Sequence, residues 1–342
     1  MHKIQKYPEG VSLIICVYNG EERIGMTIES IQRQSHRMSF PWEVIVIDDG
    51  STDHTVQTIT ENWHIEVPLR IFKESRRGMF YARNRGIEEA LFEFITFVDD
   101  DNRICVNWVD ILYRTFKNNP EIAMCGGYNK GVFEILPPAW IQTILPVYAI
   151  GKQGSRTEDI TESRGFLWGA GLSFRKSLYM GIIRAGFPCF LKGRTGETFT
   201  AGEDTELNLA FILGGYRLWF VEDLTMEHYM PAGRLTWQYA KRLFIGLGEA
   251  EYILDVYRFM IQSRRAPLFL MYLRIMGYIL PYFGWRIAML PFDLKNNAKY
   301  LSYLARKKYL VTAMKEMVKS VTYRDRIQTF MFNIRDQRSP MT

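Results

Sequence analysis

Short apolar runs alternate with stretches of helical spacing over the first hundred residues of the chain. The apolar runs are rich in Val, Ile and Phe and lie at 11–17, 42–48, 69–73 and 94–98. Between two of them, Ile24, Ile28 and Ile31 recur with the period of an α-helix. Strands that alternate with helices at this spacing predict an α/β fold of the Rossmann-like type, with a mostly parallel sheet flanked by helices.

The pattern loosens after residue 124. The segment "GFLWGAGLSFRK" at 165–176 is typical of a strand interrupted by small residues, and 216–223 is predicted to be the last strand. A loop rich in Gly and Thr precedes a helix that should begin near Glu203. No strand is predicted from Gly233 onward, only helices. We therefore expect an α/β domain over residues 1–232 and a helical region over 233–342.

Polar residues cluster where three of the predicted strands end. The clusters are "CVYN" at 16–19, "DDGSTD" at 48–53 and "DDD" at 99–101. In sheets of this kind ligands bind at the carboxyl ends of the strands. The three clusters are therefore predicted to converge on one crevice.

The three aspartates Asp99, Asp100 and Asp101 are the most unusual of these clusters. Asp99 and Asp101 are two residues apart, so on an extended backbone their carboxylates point the same way. Unpaired, they would raise each other's pKa. A divalent cation removes this penalty, and Mg²⁺ commonly takes one or two carboxylates together with substrate phosphates. The alternative is a solvated acidic turn in which Asp99 caps the next helix, and the residues alone favour neither.

Other charged residues suit a site at this sheet edge. Asp49 could bind a hydroxyl or a base N–H of a nucleotide, but the segment 46–53 taken alone favours an ordinary capped turn. Arg83 could supply positive charge to phosphates. Glu203 and Asp204 open a helix, where a carboxylate is either stabilised by the helix N-terminus or aimed into the crevice as a general base. His228 could be a metal ligand. The neighbouring Arg76, Arg77 and Arg85 suit a solvated helix face.

Composition and cysteine usage narrow the class of protein. The 342 residues are 47% hydrophobic and 23% charged, as in a folded protein with one sizeable domain and an appendage. Four cysteines lack the CxxC spacing of zinc sites and fit a reducing compartment. The first apolar run is too short for a signal peptide. These features predict a protein that faces the cytoplasm.

The net charge of +6 is concentrated in the C-terminal part. Residues 286–342 hold 12 Lys or Arg against 4 Asp or Glu, a charge of +8, so the rest carries about −2. No RNA-binding motif accompanies this excess, and we expect no nucleic acid partner.

The apolar segment 267–294 is interrupted by Arg274 and Arg286 and is too short between them to span a bilayer. Together with the basic tail, it predicts helices that lie on an anionic membrane surface, at the cytoplasmic face of the inner membrane. The alternative is a helical lid or a dimer interface.

Seven segments in order resemble the family 2 glycosyltransferases with the GT-A fold. They are "SLIICVYNGEE", "EVIVIDDGSTDHT", "GMFYARNRGIEEA", "FITFVDDDN", "GAGLSFRK", "AGEDTELNLAFILGGYRLWFVED" and "EHYMPAGR". Each is weak alone, but seven in this order are a specific signal. The resemblance spans roughly residues 11–234 and implies an inverting, metal-dependent enzyme of polysaccharide biosynthesis.

The resemblance also implies a donor site for a nucleotide sugar, with UDP favoured. The residues that would bind the donor are Val17, Tyr18, Glu21, Asp49, Arg83, Asp99 and Asp100. Tyr18 and Asp49 would hold the base, and Arg83 would approach the diphosphate. Asp101 and His228 would bind Mg²⁺ or Mn²⁺. The triple aspartate leaves open whether Asp99 or Asp100 is the first residue of the DxD motif.

The remaining implied residues concern the acceptor, a hydroxyl of a glycan or a lipid-linked saccharide. Asp204 would be the general base, with Glu203 supporting it or contacting the acceptor. Trp168, Gly169 and Ala170 would form the floor of the sugar pocket. Cys16 departs from the Pro, Thr or Ser that is common in the family at its position.

Two other functions fit an α/β sheet with acidic strand ends. A nucleotidyltransferase would show a Gly-rich phosphate loop near the N-terminus, and "CVYNGEERIG" lacks one. A non-catalytic sugar-binding protein on the same fold would be expected to have lost Asp204 or the DxD motif, and this chain has both.

Overall fold

One mixed sheet organises the described part of the chain. The computed structural model describes residues 5–34, 38–193, 201–262, 298–316 and 319–336, with the isolated positions 270, 273 and 277. Its strands are β1 Val11–Val17, β2 Trp42–Asp48, β3 Leu69–Lys73, β4 Phe94–Phe97, β5 Asn102–Ile104, β6 Ile122–Phe133, β7 Glu158–Asp159, β8 Ser173–Arg175 and β9 Arg217–Met230. They lie in the order β3-β2-β1-β4-β8-β6-β9-β5, and β7 pairs with β9.

Helices cover both faces of this sheet. The α-helices are α1 Glu21–Gln32, α2 Thr55–Glu61, α3 Met79–Glu89, α4 Trp108–Asn118, α5 Lys176–Arg184, α6 Glu203–Leu213, α7 Trp237–Gln262, α8 Ala298–Glu316 and α9 Ser320–Asp336. Two 3₁₀ helices span Ala139–Tyr148 and Ala232–Leu235. The predicted α/β fold with a C-terminal helical extension is confirmed.

Strand pairing divides the sheet into two parts. β3, β2, β1 and β4 are parallel to one another, as the alternation of strands and helices predicts. Beyond β4 the pairings of β8 are antiparallel, while β6 and β9 are parallel to each other. The parallel part brings the carboxyl ends of β1, β2 and β4 to one edge, where the polar clusters lie.

Alternating residues of the central strands supply two separate cores. Leu13 and Ile15 of β1 pack with α1, α2 and α4 on one face. Ile14 and Cys16 face the other way and pack with α3, α5, α6 and α7. All four side chains are buried. Because successive side chains of a strand point to opposite faces, a continuous apolar run is what a strand covered on both faces requires.

The C-terminal half of the sheet differs from the prediction. β9 does not end at residue 223 but continues to Met230, so His228 lies inside the strand, paired with Asn102 of β5. Its buried positions alternate from Leu224 to Met230, a period-2 pattern that the Glu222–Asp223 pair obscures. That pair falls in a bulge opposite the close approach of Gly127 to Leu224.

Two further strand assignments were wrong or missing. The predicted strand 165–176 is a strand only over Ser173–Arg175, because the small residues before it form an irregular loop. β6, the neighbour of β9, was not predicted, since glycines interrupt its apolar run.

The C-terminal helices pack directly on the α/β domain. α7 contacts α6, and α8 approaches α7 so closely that a Cβ on Gly248 would lie 2.1 Å from the Ala305 carbonyl oxygen. The apolar segment 267–294 lies outside the described residues. Within the described ranges, no helix is both long and apolar enough to cross a membrane.

A buried glutamate joins α6 to α7 and to the loop before α6. Glu206 accepts hydrogen bonds of 2.8 Å from the backbone N–H groups of Phe190 and Leu191. Its Oε1 also accepts one of 2.8 Å from the Tyr257 hydroxyl of α7. Burial raises the pKa of Glu206 to about 7, although these donors oppose the shift. This network fixes the start of α6, which carries Glu203 and Asp204.

The raised pKa of Glu206 predicts a pH-dependent stability. A carboxyl whose pKa is higher in the folded protein contributes stability below its unfolded pKa, and this is lost as pH rises through the folded value. Relative to Glu206→Gln, which does not titrate, the free energy of unfolding of the native protein should fall by about 3 kcal/mol between about pH 4.5 and pH 8. Denaturant unfolding of both proteins measures this difference, and parallel pH profiles would contradict the prediction.

Candidate active site

The predicted site residues meet in a cleft of about 690 Å³ at the carboxyl ends of β1, β2 and β4. Those that line it are Asp49, Arg83, Asp99, Asp100, Asp101, Trp168, Gly169, Ala170, Glu203, Asp204 and His228. The parallel strands bring the aspartates together, and the N-terminus of α6 brings Glu203 and Asp204 opposite them. A volume of this size is typical of a site for a small organic ligand.

Each of the three consecutive aspartates is paired with its own arginine. The shortest nitrogen–oxygen distances are 3.5 Å for Arg83–Asp99, 2.8 Å for Arg23–Asp100 and 2.8 Å for Arg234–Asp101. Arg23 comes from α1, Arg83 from α3 and Arg234 from the second 3₁₀ helix. The acidic cluster is therefore compensated from three separate elements.

Asp100 is the aspartate of this cluster whose pKa shifts most clearly. Burial, and next the neighbouring charge of Asp101, raise the pKa of Asp100 to about 6, while Arg23 lowers it. Arg23 Nη2 also donates to the Asn19 carbonyl oxygen at 3.3 Å. Asp100 therefore connects the strand end to the start of α1.

Asp101 and His228 have open ligand positions. Both are buried, and Asp101 Oδ1 lies 3.7 Å from His228 Nε2. Asp101 Oδ1 and His228 Nδ1 have no hydrogen-bond partner within the described ranges. The described residues contain no preformed group of three or more metal ligands. The pair fits a cation such as Mg²⁺ that takes few protein ligands and completes its shell with phosphate and water.

The predicted base site is arranged around Asp49. Both carboxylate oxygens of Asp49 accept from the Gly78 N–H, at 3.1 and 2.9 Å, and burial raises the pKa of this carboxyl. Arg77 donates to the carbonyl oxygens of Asp49 and Gly50, and its guanidinium lies 3.8 Å from the centre of the Tyr18 ring. Arg77 is thus not on a solvated helix face as predicted, because it precedes α3 and turns back over β2.

The other three donor residues named from the resemblance do not line the cleft. Tyr18 is exposed on the far side of Arg77, and Val17 is buried in the core between the strands and α1. Glu21 begins α1, where its carboxylate accepts from the His54 N–H at 3.1 Å. Of the three, Tyr18 is the one whose ring contacts Arg77, which donates to the Asp49 carbonyl oxygen.

Asp204 is held at the start of α6 by two backbone donors. Its Oδ2 accepts from the Gly169 N–H at 2.8 Å, and its Oδ1 accepts from the Thr205 N–H at 2.7 Å. Asn208, one turn further along α6, donates to the Leu167 carbonyl oxygen at 2.9 Å. The loop that carries Trp168, Gly169 and Ala170 is therefore fastened to the helix that carries Asp204.

α7 contributes side chains to the lining of the cleft, which the sequence did not indicate. The residues of α7 that line it recur every three or four positions and are Tyr239, Leu243, Leu247, Glu251, Leu254 and Arg258. Across from them, the Arg164 guanidinium lies 4.3 Å from the centre of the Phe166 ring and 4.6 Å from that of Trp168. This wall combines an apolar stripe with charged groups at one end.

Three arginines of the site were given no role from the sequence. Arg23 and Arg77 carry no signal beyond their charge, because ordinary surface helices hold many such residues. Arg234 ends the segment "EHYMPAGR", so the motif was visible but the partner of its last residue was not. Cys16 also lines the cleft, where burial raises the pKa of its thiol to about 12 and keeps it neutral.

The fold is that of the GT-A glycosyltransferases. A crystal structure of Staphylococcus aureus TarS residues 1–349 in complex with UDP-GlcNAc superposes with a TM-score of 0.52. The superposition covers 96% of this chain and 91% of that one, at 16% sequence identity. At this identity the likeness concerns the fold.

The sequence model of glycosyl transferase family 2 matches residues 12–182, half of the chain. The chain therefore belongs to glycosyl transferase family 2. It is 30% identical to glycosyltransferase EpsH of Bacillus subtilis over 115 residues, 34% of this chain and 33% of that protein. It is 23% identical to poly-beta-1,6-N-acetyl-D-glucosamine synthase of Staphylococcus aureus over 263 residues, 77% of this chain. The matches span a third to three fifths of these curated relatives.

The space at Gly169 makes a sharp prediction. A Cβ there would lie 2.9 Å from Arg83 Nη1 and 3.2 Å from Asp204 Oδ2, so one of these groups must move in Gly169→Ala. We expect glycosyl transfer to fall by up to about 10²-fold, the loss that a displacement of about 1 Å at a reacting group can cause. The measurement is the transfer rate alongside the melting temperature. Gly25→Ala, where a Cβ meets nothing within 4 Å, is the control and should keep the native rate.

Proposed function

We propose that the protein is an inverting glycosyltransferase that transfers a sugar from a nucleotide donor, with UDP favoured, to a hydroxyl of a glycan or lipid-linked saccharide. The observation that carries this proposal is the position of Asp204 in the same cleft as the arginine-paired aspartates. Family membership supports it over a nucleotidyltransferase. The UDP-GlcNAc named for the TarS structure supports the choice of donor.

Asp204 is the proposed general base. Its carboxylate takes the proton of the acceptor hydroxyl while that oxygen forms a bond to the anomeric carbon of the donor sugar. The bond from this carbon to the diphosphate oxygen breaks, and the nucleoside diphosphate leaves with the electron pair. A single displacement of this kind inverts the anomeric configuration and needs no covalent enzyme intermediate. The Gly169 N–H holds the carboxylate in place for this step.

Donor recognition is assigned to the opposite side of the cleft. Asp49 would accept a base N–H, with Arg77 bound to its carbonyl oxygen and the Tyr18 ring in contact with Arg77. Arg83 lies between Asp99 and Asp204 and can reach a diphosphate above the strand end. Asp101 and His228 would hold a divalent cation. When bound, Mg²⁺ or Mn²⁺ stabilises the negative charge that develops on the leaving diphosphate.

The α7 wall is assigned to the acceptor. It faces Trp168 and Phe166, and aromatic rings are common platforms for sugars because they cover the apolar face of a ring. Its leucines at 243, 247 and 254 suit the apolar part of a saccharide or of its lipid carrier better than they suit a nucleotide. Glu203, which begins α6 beside Asp204, would contact the acceptor or support the base.

Asp204→Asn tests the role of the base. The amide keeps the shape of the side chain and can accept one of the two backbone hydrogen bonds that the carboxylate accepts, but it cannot take a proton. Transfer should fall by about 10²–10⁴-fold, while the affinity for nucleoside diphosphate stays within a factor of about two. Kinetics with a panel of UDP-sugars and calorimetric UDP binding provide the two measurements. Near-native transfer by the variant would contradict the role of Asp204.

We also propose a peripheral association with the cytoplasmic face of a membrane. Its support is the apolar segment 267–294 followed by exposed basic residues of α8, including Arg306 and Lys307. Charge reversal of both residues to Glu should weaken binding to vesicles containing phosphatidylglycerol at least about tenfold. Reversal of the exposed Arg33, directly after α1, should leave binding unchanged. Absence of vesicle binding by the native protein would contradict this association.

A further inference from the structure

Arg234 pairs with the carboxylate that is proposed to bind the cation. Its Nη1 is 2.8 Å from Asp101 Oδ2, and the two side chains are 30% and 2% exposed. The other oxygen of Asp101 faces His228 and has no hydrogen-bond partner within the described ranges. Arg234 thus pairs with one oxygen of the Asp101 carboxylate, and the other oxygen is open to a ligand.

We propose that Arg234 is an exchangeable counter-ion of the site. It neutralises Asp101 while the cleft is empty, and it turns to the donor diphosphate when a divalent cation binds Asp101 and His228. The inference rests on the proposed function, because it assumes a diphosphate donor and a cation. It makes Arg234 a donor-binding residue whose position depends on the metal.

The contacts of Arg234 suit exchange better than a permanent pair. A permanent pair through Oδ2 would leave Asp101 Oδ1 buried without a partner, which is costly. A bound cation would satisfy Asp101 Oδ1. A guanidinium and a divalent cation on the same carboxylate repel each other, so binding of the cation favours release of Arg234.

The cleft also offers Arg234 somewhere to go. It lines the same cleft as Arg83, whereas Arg23, the partner of Asp100, does not. Its side chain is long and partly exposed. A phosphate above the strand end would accept a charge-assisted hydrogen bond from this guanidinium.

Exchange has a thermodynamic consequence. If no diphosphate is bound, release of Arg234 leaves its guanidinium without an anion. If no divalent cation is bound, release leaves Asp101 without a counter-charge. Each ligand therefore lowers the cost of binding the other, and the effect is reciprocal. Part of the cooperativity between Mn²⁺ and UDP should depend on Arg234, and the rest on direct contact between the metal and the phosphates.

The test is Mn²⁺ binding to the full chain, followed by electron paramagnetic resonance, with and without UDP. In Arg234→Gln without UDP, Mn²⁺ should bind at least about tenfold more tightly than in the native protein, because the competing charge is gone. At saturating Mn²⁺, the same variant should bind UDP at least about tenfold more weakly, because a phosphate ligand is gone. Melting curves check that the variant folds.

Arg103→Gln is the matched control. Arg103 lies in β5, next to Asn102, and its Nε is 3.1 Å from Glu227 Oε2 on the exposed side of β9. The substitution Arg103→Gln removes the same charge near the site without touching Asp101. The affinities for Mn²⁺ and for UDP should both stay native.

Exchange is supported if Mn²⁺ binds more tightly in Arg234→Gln but not in Arg103→Gln. Native UDP and Mn²⁺ affinities in that variant would overturn the exchange and leave the proposed glycosyl transfer intact. Failure of the native protein to bind Mn²⁺, with or without UDP, would overturn both the exchange and the metal dependence of the proposed function. The rate of Asp204→Asn tests the transfer independently of either result.

Discussion

The compensation of three adjacent carboxylates determines how this cleft is built. Asp99, Asp100 and Asp101 follow β4 directly, and like charges this close are stable only with counter-charges at hand. The counter-charges come from α1, α3 and the 3₁₀ helix after β9. Elements far apart in sequence are thus held at one strand end by ion pairs that also shape the site. A ligand with phosphates and a cation can enter such a cluster by exchanging partners rather than by creating new charge.

The second half of the site depends on the helices that follow the sheet. Glu206 binds the loop at 190–191 and the hydroxyl of Tyr257, so the start of α6 is set by α7 as well as by the sheet. Asp204 in turn is held by Gly169. Because α7 also lines the cleft, the C-terminal helices contribute to the site itself. The base and the aspartates are therefore positioned by two separate networks that face each other.

The sequence alone predicts the parts of this structure that follow from local pattern. β1, β2 and β4 are apolar runs buried on both faces, and aspartates follow β2 and β4, so both fold class and cleft location were predictable. Long-range partners were not. Nothing near Arg23 or Arg234 in the sequence identifies Asp100 or Asp101 as the carboxylate it meets. The length of β9 was hidden by a bulge, and the prediction that His228 lies beyond the last strand followed from that error.

The most direct test of this account is a crystal of the protein soaked with Mn²⁺ and UDP, with data collected at the manganese absorption edge. The account predicts an anomalous peak about 2 Å from a carboxylate oxygen of Asp101, in contact with the UDP phosphates. It also predicts that Arg234 has moved from Asp101 to a phosphate oxygen. UDP bound in the cleft without a peak near Asp101, and with the Arg234–Asp101 pair unchanged, would contradict it.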